Sequence, residues 1–76
     1  MYPDIARRAR IEGIVIFLVR IRKDGTVGSV HVLWSSNPMF VKAARDAVEQ
    51  WRYSPATKNG EAFEVPFFVR VDFRLK

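Results

Sequence analysis

The sequence predicts a two-layer α+β domain: a three-stranded antiparallel sheet in the order 2-1-3 with two helices on one face, the elements running α-β-β-α-β. Three observations carry this. Residues 14–22 and 62–76 are apolar at nearly every odd position, the period of a strand with one buried face. Asp24-Gly25 follows the first of these runs, and an Asp-Gly pair suits a hairpin turn because both residues tolerate positive φ. Phe40, Ala44, Ala47, Val48 and Trp51 recur on one face of a helix.

In chain order, residues 3–10 read as a short helix. Pro3 suits a first helical position, Asp4 sits where the helix dipole favours an acid, and Arg7, Arg8 and Arg10 lie at the other end. Ile5, Ala6 and Ala9 form its narrow apolar stripe, and Gly13 breaks the pattern. Residues 14–22 form the first strand, with Val15, Phe17, Val19 and Ile21 facing the core. The other face begins with Ile14, Ile16 and Leu18 before Arg20 and Arg22, and three aliphatics do not belong on a solvated face. After the turn, residues 27–34 pair back as strand two, with Val30 and Val32 inward, Ser29 and His31 outward, and Gly28 marking a bulge.

Asn37 caps the second helix with Pro38 at its first position. That helix extends to about Trp51, where Tyr53-Ser54-Pro55 stops it. Residues 57–61 are a polar turn with Asn59-Gly60 at its apex. The final strand, residues 62–76, places Phe63, Val65, Phe67, Val69, Val71, Phe73 and Leu75 on the core face. At about 3.3 Å per residue it could reach roughly 45 Å. A right-handed crossover through the helix returns this strand beside strand one and leaves it at an edge.

Residues 1–76 make one domain, short enough to bury only about 60% of its unfolded surface. A composition 49% hydrophobic and 13% aromatic rules out a disordered tail. With no cysteine there is neither a disulfide staple nor a thiolate metal site. The net charge of +5 suits an acidic partner, a nucleic acid or an anionic surface. No apolar run approaches the ~20 residues that cross a bilayer. Met1 directly before Tyr2-Pro3 reads as a start codon added to an excised domain.

No catalytic residue, metal ligand set or cofactor site is expected. His31 is a lone histidine on an outward strand face, and Ser35 and Ser36 are explained by a helix start. Asp46 and Glu49 have an ordinary helix-surface spacing, and glycines 13, 25, 28 and 60 form no phosphate-cradling loop. Arg20, Arg22, Arg70 and Arg74 share the outward face with Phe68, so nucleic-acid binding there is the alternative reading. Pro66 points elsewhere. It lacks an N–H, so even-numbered residues of the last strand should direct their backbone groups to the unpaired flank. Phe68, Arg70, Asp72 and Arg74 would then offer an open edge to an extended partner strand.

Tyr2-Pro3, Arg10-Ile11-Glu12-Gly13 before strand one, Asp24-Gly25-Thr26-Val27 with Val30 and Val32, Trp51-Arg52-Tyr53-Ser54-Pro55-Ala56 and Val71-Asp72-Phe73-Arg74-Leu75 together resemble the C-terminal domain of TonB-type energy transducers. The resemblance covers essentially the whole chain. It implies a periplasmic adaptor whose full-length form is anchored in the inner membrane and driven by an ExbB–ExbD-type motor through the N-terminal region missing here. The partner it implies is the N-terminal segment of an outer-membrane receptor, added as a strand along residues 68–74. The family segment that precedes Tyr-Pro and shares in this binding is absent from the chain. Family members carry polar residues where this chain has Ile14, Ile16 and Leu18. Covering such a patch is worth several kcal/mol at ~25 cal/mol per Å², so a homodimer or a neighbouring domain packed there, with strand exchange as one route, is a further expectation.

Overall fold

The computed structural model describes residues 2–54 and 56–75. Helix α1 (Asp4–Arg8) leads to β1 (Gly13–Ile21) and β2 (Val27–Ser35). A 3-10 turn (Pro38–Phe40) runs straight into α2 (Val41–Glu49), and β3 (Ala56–Lys58), β4 (Glu61–Phe63) and β5 (Val65–Phe73) follow. The main sheet has the order β2-β1-β5 and is antiparallel throughout, so the expected 2-1-3 arrangement holds with β5 at an edge. Val15, Phe17, Val19 and Ile21 are buried under the helical layer with Phe40, Ala44 and Val48 from the turn and α2.

The terminal run is divided where one unbroken strand was expected. Ile21 pairs with Val65, and β1 ends there, so residues before Val65 have no neighbour on that strand. They pair instead with Ala56–Lys58 across Asn59-Gly60, whose φ angles of 53° and 82° make the two-residue turn that suits a right-handed ribbon. Pro55, expected to stop the second helix, lies outside the described residues, as do Met1 and Lys76.

Helix α1 is also shorter than expected. Pro3 stands just outside it, with extended ψ of 134°. At the other end, Ile11 N–H donates to the Ala6 carbonyl (2.8 Å) and Arg10 N–H to that of Arg7 (3.2 Å), with Arg10 left-handed at φ 55°. This is the Schellman ending, and it favours glycine where this chain has arginine. Arg10→Gly is therefore expected to stabilise the domain by about 1 kcal/mol, read as a raised urea midpoint at constant slope.

Two departures from a regular ladder occur between β1 and β2. Val19 pairs with Val30 but Ile21 with Val27, which puts an extra residue at Gly28-Ser29, where a bulge was expected. The second falls between Phe17–Val32 and Ile16–Trp34 and makes Leu33 the extra residue. It turns Trp34 onto the outward face, 53% exposed, although Trp34 shares the parity of inward Val30 and Val32.

One end of the core is aromatic. The Tyr2 ring meets Phe40 and Phe73 edge-on at centroid distances of 5.8 and 5.5 Å, and Phe40 stacks on Phe73 at 4.5 Å. The Tyr2 hydroxyl donates to the Ile11 carbonyl, and Leu75 N–H donates to Glu12 Oε2 at 2.8 Å. Gly13 lies directly under the Phe40 ring. A Cβ there would come within 2.4 Å of a ring carbon and 2.9 Å of Ser36 Oγ, so this start of β1 accepts no side chain.

Candidate functional site

The direction of the backbone groups on β5 follows from bonds made on the far side of β1. Ser36 N–H donates to the Ile14 carbonyl and Arg22 N–H to that of Thr26, so even-numbered residues of β1 turn their backbone groups toward β2. Odd-numbered residues therefore turn toward β5. The β1–β5 register is regular over all nine pairs, from Gly13–Phe73 to Ile21–Val65, and matches odd with odd. The even-numbered residues of β5 consequently aim their N–H and C=O groups away from the sheet. Pro66, Phe68, Arg70 and Asp72 form this row, and the missing N–H of Pro66 falls where no ladder bond is lost.

The opposite edge, β2, is defended. Its two bulges distort it, and Arg45 of α2 reaches over to donate from Nη1 to the Val30 carbonyl at 3.4 Å. Irregularity and a covering cation are common protections for a strand edge. Among the described residues no comparable bond caps β5. Its protection is confined to Pro66 and to charge.

The side chains along this edge alternate as expected. Phe68 stands out at 76% exposure, while Val71 and Phe73 on the other face are buried. Asp72 lies between two arginines. Arg70 Nε donates to Oδ1 at 2.7 Å, and Arg74 Nε stands 3.6 Å from Oδ2. The Arg70 hydrogen bond, chiefly, holds the Asp72 carboxyl below its ordinary range. At the hairpin, hydrogen bonds from the Thr26 hydroxyl and amide to Asp24 Oδ1 do the same for Asp24. Both acids bind protons less tightly folded than unfolded, so their stabilisation is complete above the ordinary carboxylate value near about 4. It is lost as pH falls through the lowered folded values. Urea midpoints are expected to stay level from neutral pH to about 5 and to fall below about 4, less steeply for Asp24→Asn.

The outward face of the sheet is less bare than the sequence suggests. Ile14, Ile16 and Leu18 are each half-buried, because the flanking strands place Asp72, Arg70 and Phe68 directly opposite them and Trp34 beside Ile16. The arginines that prompted the nucleic-acid reading have acidic company. Arg70 and Arg74 share Asp72, and Arg20 Nη1 lies 4.0 Å from Glu64. His31 is exposed opposite Leu18, and the described residues contain no group of three His, Asp or Glu placed to hold a metal ion.

Sequence reasoning singled out Phe68, Arg70, Asp72 and Arg74; the structure sets the first three along the open flank of β5 and Arg74 one residue beyond its end. It missed Arg45, whose reach to β2 depends on where α2 crosses the sheet. It also missed the row of rings Trp51, Tyr53 and Phe67, with centroids 6.4 and 6.3 Å apart, which continues the inner face beyond the helical cover. The signal for that row was available: Phe67 has core parity, yet α2 ends at Glu49 and leaves it 46% exposed.

Comparison with known proteins gives a consistent result. Residues 1–75 match the family described as the Gram-negative bacterial TonB protein C-terminal. Protein TonB of Xanthomonas campestris pv. campestris is 37% identical over 75 residues, which are 97% of this chain and 34% of that protein. Protein TonB of Pseudomonas aeruginosa is 36% identical over 62 residues, 80% of this chain and 18% of that protein. A solved structure of the TonB2 protein from Vibrio anguillarum superposes with a TM-score of 0.74 at 28% identity, covering 100% of this chain and 74% of that one. The chain thus spans about a third of the length of the Xanthomonas protein and under a fifth of the Pseudomonas one.

Proposed function

We propose that this chain, which belongs to the Gram-negative TonB protein C-terminal family, works as a periplasmic adaptor that captures an extended segment of an outer-membrane receptor on the open edge of β5. The observation that carries this reading is the row of outward backbone groups at Phe68, Arg70 and Asp72, regular in register and bounded by Pro66. An incoming strand needs such a row, because main-chain hydrogen bonds supply its affinity and alternate side chains its specificity. Phe68 offers an apolar contact on the outer side and Arg70, Asp72 and Arg74 offer charge. A strand pulled along its length shares load over several ladder bonds, so even a modest binder transmits force briefly.

In the full-length protein, a membrane anchor and an ExbB–ExbD-type motor acting through the preceding segment would supply that force. The role is mechanical, and no catalytic group or cofactor enters it. Titrating isotope-labelled domain with peptides from receptor N-termini tests the reading. Amide shifts and slowed hydrogen exchange are expected at Phe68, Arg70, Asp72 and Arg74. Saturable binding that leaves these four amides unmoved would sink it. A second proposal concerns the outer face, where Ile14, Ile16 and Leu18 would pack on another copy or a neighbouring domain. Leu18→Lys is expected to abolish that contact without loss of fold, and association unchanged in this variant would remove it.

A further inference from the structure

The chain carries an Asp24-Gly25 turn and an Asn59-Gly60 turn, and the structure holds them differently. At the first, Asp24 Oδ1 accepts from the Thr26 amide at 2.9 Å and from the Thr26 hydroxyl at 2.6 Å, while Gly25 N–H donates to the Arg22 carbonyl at 2.9 Å. At the second, Asn59 and Gly60 are both exposed, and a Cβ at Gly60 would meet nothing within 4 Å. Among the described residues no hydrogen bond holds the Asn59 side chain or the Gly60 N–H. From this contrast we infer that Asn59-Gly60 is a self-modification site, where Asn59 converts spontaneously to isoaspartate and aspartate and unlocks the β3–β4 ribbon.

The reaction needs only water. The Gly60 backbone nitrogen gives its proton to solvent and attacks Asn59 Cγ. The new C–N bond closes a five-membered imide as the Cγ–Nδ2 bond breaks, and ammonia leaves with a proton returned by solvent. Water then opens the ring, with no oxidant or reductant involved. Attack at Cγ leaves aspartate, and attack at the Asn59 main-chain carbonyl leaves isoaspartate, whose backbone runs on through Cγ. Glycine favours the first step because no Cβ shields its nitrogen. Asn37, the other asparagine, is excluded: Pro38 has no N–H to give up, and Asn37 Oδ1 accepts from the Met39 amide at 3.1 Å. Asp24 is guarded by its hydrogen bonds, which also keep its carboxyl ionised and therefore a poor electrophile.

Ring closure requires the turn to open, because the Gly60 nitrogen must swing against Cγ out of a turn set at φ 53° and 82°. The ribbon permits this. It has three pairs, from Ala56–Phe63 to Lys58–Glu61, and forms a sheet of its own apart from β2-β1-β5. A lone two-stranded hairpin is only marginally stable, so it opens without unfolding the rest. Isoaspartate adds a methylene to the main chain and breaks the two-residue turn that sets the ribbon's register. Either product replaces a neutral amide by a carboxylate, so the net charge of +5 falls by one. The main sheet is spared, since β5 begins at Val65. This inference stands apart from the receptor reading, because Phe68, Arg70 and Asp72 lie outside the ribbon.

Incubation of the protein in warm neutral buffer tests the site, with mass spectrometry of a digest locating the change and isoaspartyl methyltransferase labelling the product. Isoaspartate is expected at residue 59 and not at Asp24 or Asn37. Its rate of formation in the folded protein should lie within about tenfold of that in the same chain unfolded by urea, because the ribbon opens readily. Asn59→Gln should abolish the labelling, since its longer side chain cannot close the five-membered ring. Modified and unmodified protein, separated by ion exchange, should share one melting temperature and differ in amide shifts centred on residues 56–63. Survival of Asn59 in the folded protein after the urea-treated chain has converted would overturn the inference, by showing the turn to be locked. Isoaspartate appearing first at Asp24 overturns it as well. So does a modified protein whose main sheet melts earlier, which would mean that the ribbon and the sheet are one cooperative unit.

Discussion

Arg70→Pro is expected to weaken capture of an extended peptide at least about tenfold while leaving the domain folded, whereas Val69→Pro one residue away is expected to destabilise the fold itself. The difference comes from backbone direction. The Arg70 N–H faces the open flank, so proline there removes a donor that the domain itself does not use, as Pro66 already does two pairs away. The Val69 N–H faces Phe17, at the centre of the sheet. Proline at that position orphans an interior carbonyl and disturbs the packing around it, at a cost of about 2–4 kcal/mol. A 76-residue domain has a total stability of only roughly 4–11 kcal/mol, so this loss removes a large share of it. For Arg70→Pro, peptide affinity should fall at least about tenfold, about 1.4 kcal/mol, through one lost main-chain bond and the displaced guest. Arg70→Ala separates side chain from backbone, because it keeps the N–H and should retain most of the binding. Calorimetric titration and thermal melts on the three variants decide the matter. Equal binding by Arg70→Pro and the parent would refute the edge as the docking site.

The largest effect on stability is expected from Phe40→Ala. Phe40 is fully buried and supports both Tyr2 and Phe73, so truncation should cost about 3–5 kcal/mol and lower the melting temperature by tens of degrees or abolish folding. Its neighbour gives the sharper test. Gly13→Ala drives a methyl into the Phe40 ring and should cost about 1–3 kcal/mol. Combined with Phe40→Leu, which removes the offending ring edge, Gly13→Ala should cost markedly less than it does alone. A double-mutant cycle showing simple additivity would mean that the ring and the glycine do not constrain each other.

How far these features were legible in the sequence depends on what fixes each of them. The inward set Val15, Phe17, Val19 and Ile21 was readable because strand parity is strict while one face is buried. The edge position of β5 followed from a handedness rule and from a single proline. The break before Val65 was not readable, since parity continues through Phe63 and only the end of β1 shows where partners run out. The outward turn of Trp34 was hidden for a similar reason: Leu33 and Trp34 are both apolar, and nothing in their order says which one is the extra residue. The half-burial of Ile14, Ile16 and Leu18 depends on long side chains from both neighbouring strands, a property of register that one strand alone does not reveal.

Pro66 also acts as a ruler. Any guest zipping along β5 from the Phe73 end meets its last willing amide at Phe68, because the next outward position has no hydrogen to give. The grip is thereby limited to a few rungs. A hook of that size suits a coupling that must catch, bear tension for a moment and let go, and it would be a poor design for a permanent joint.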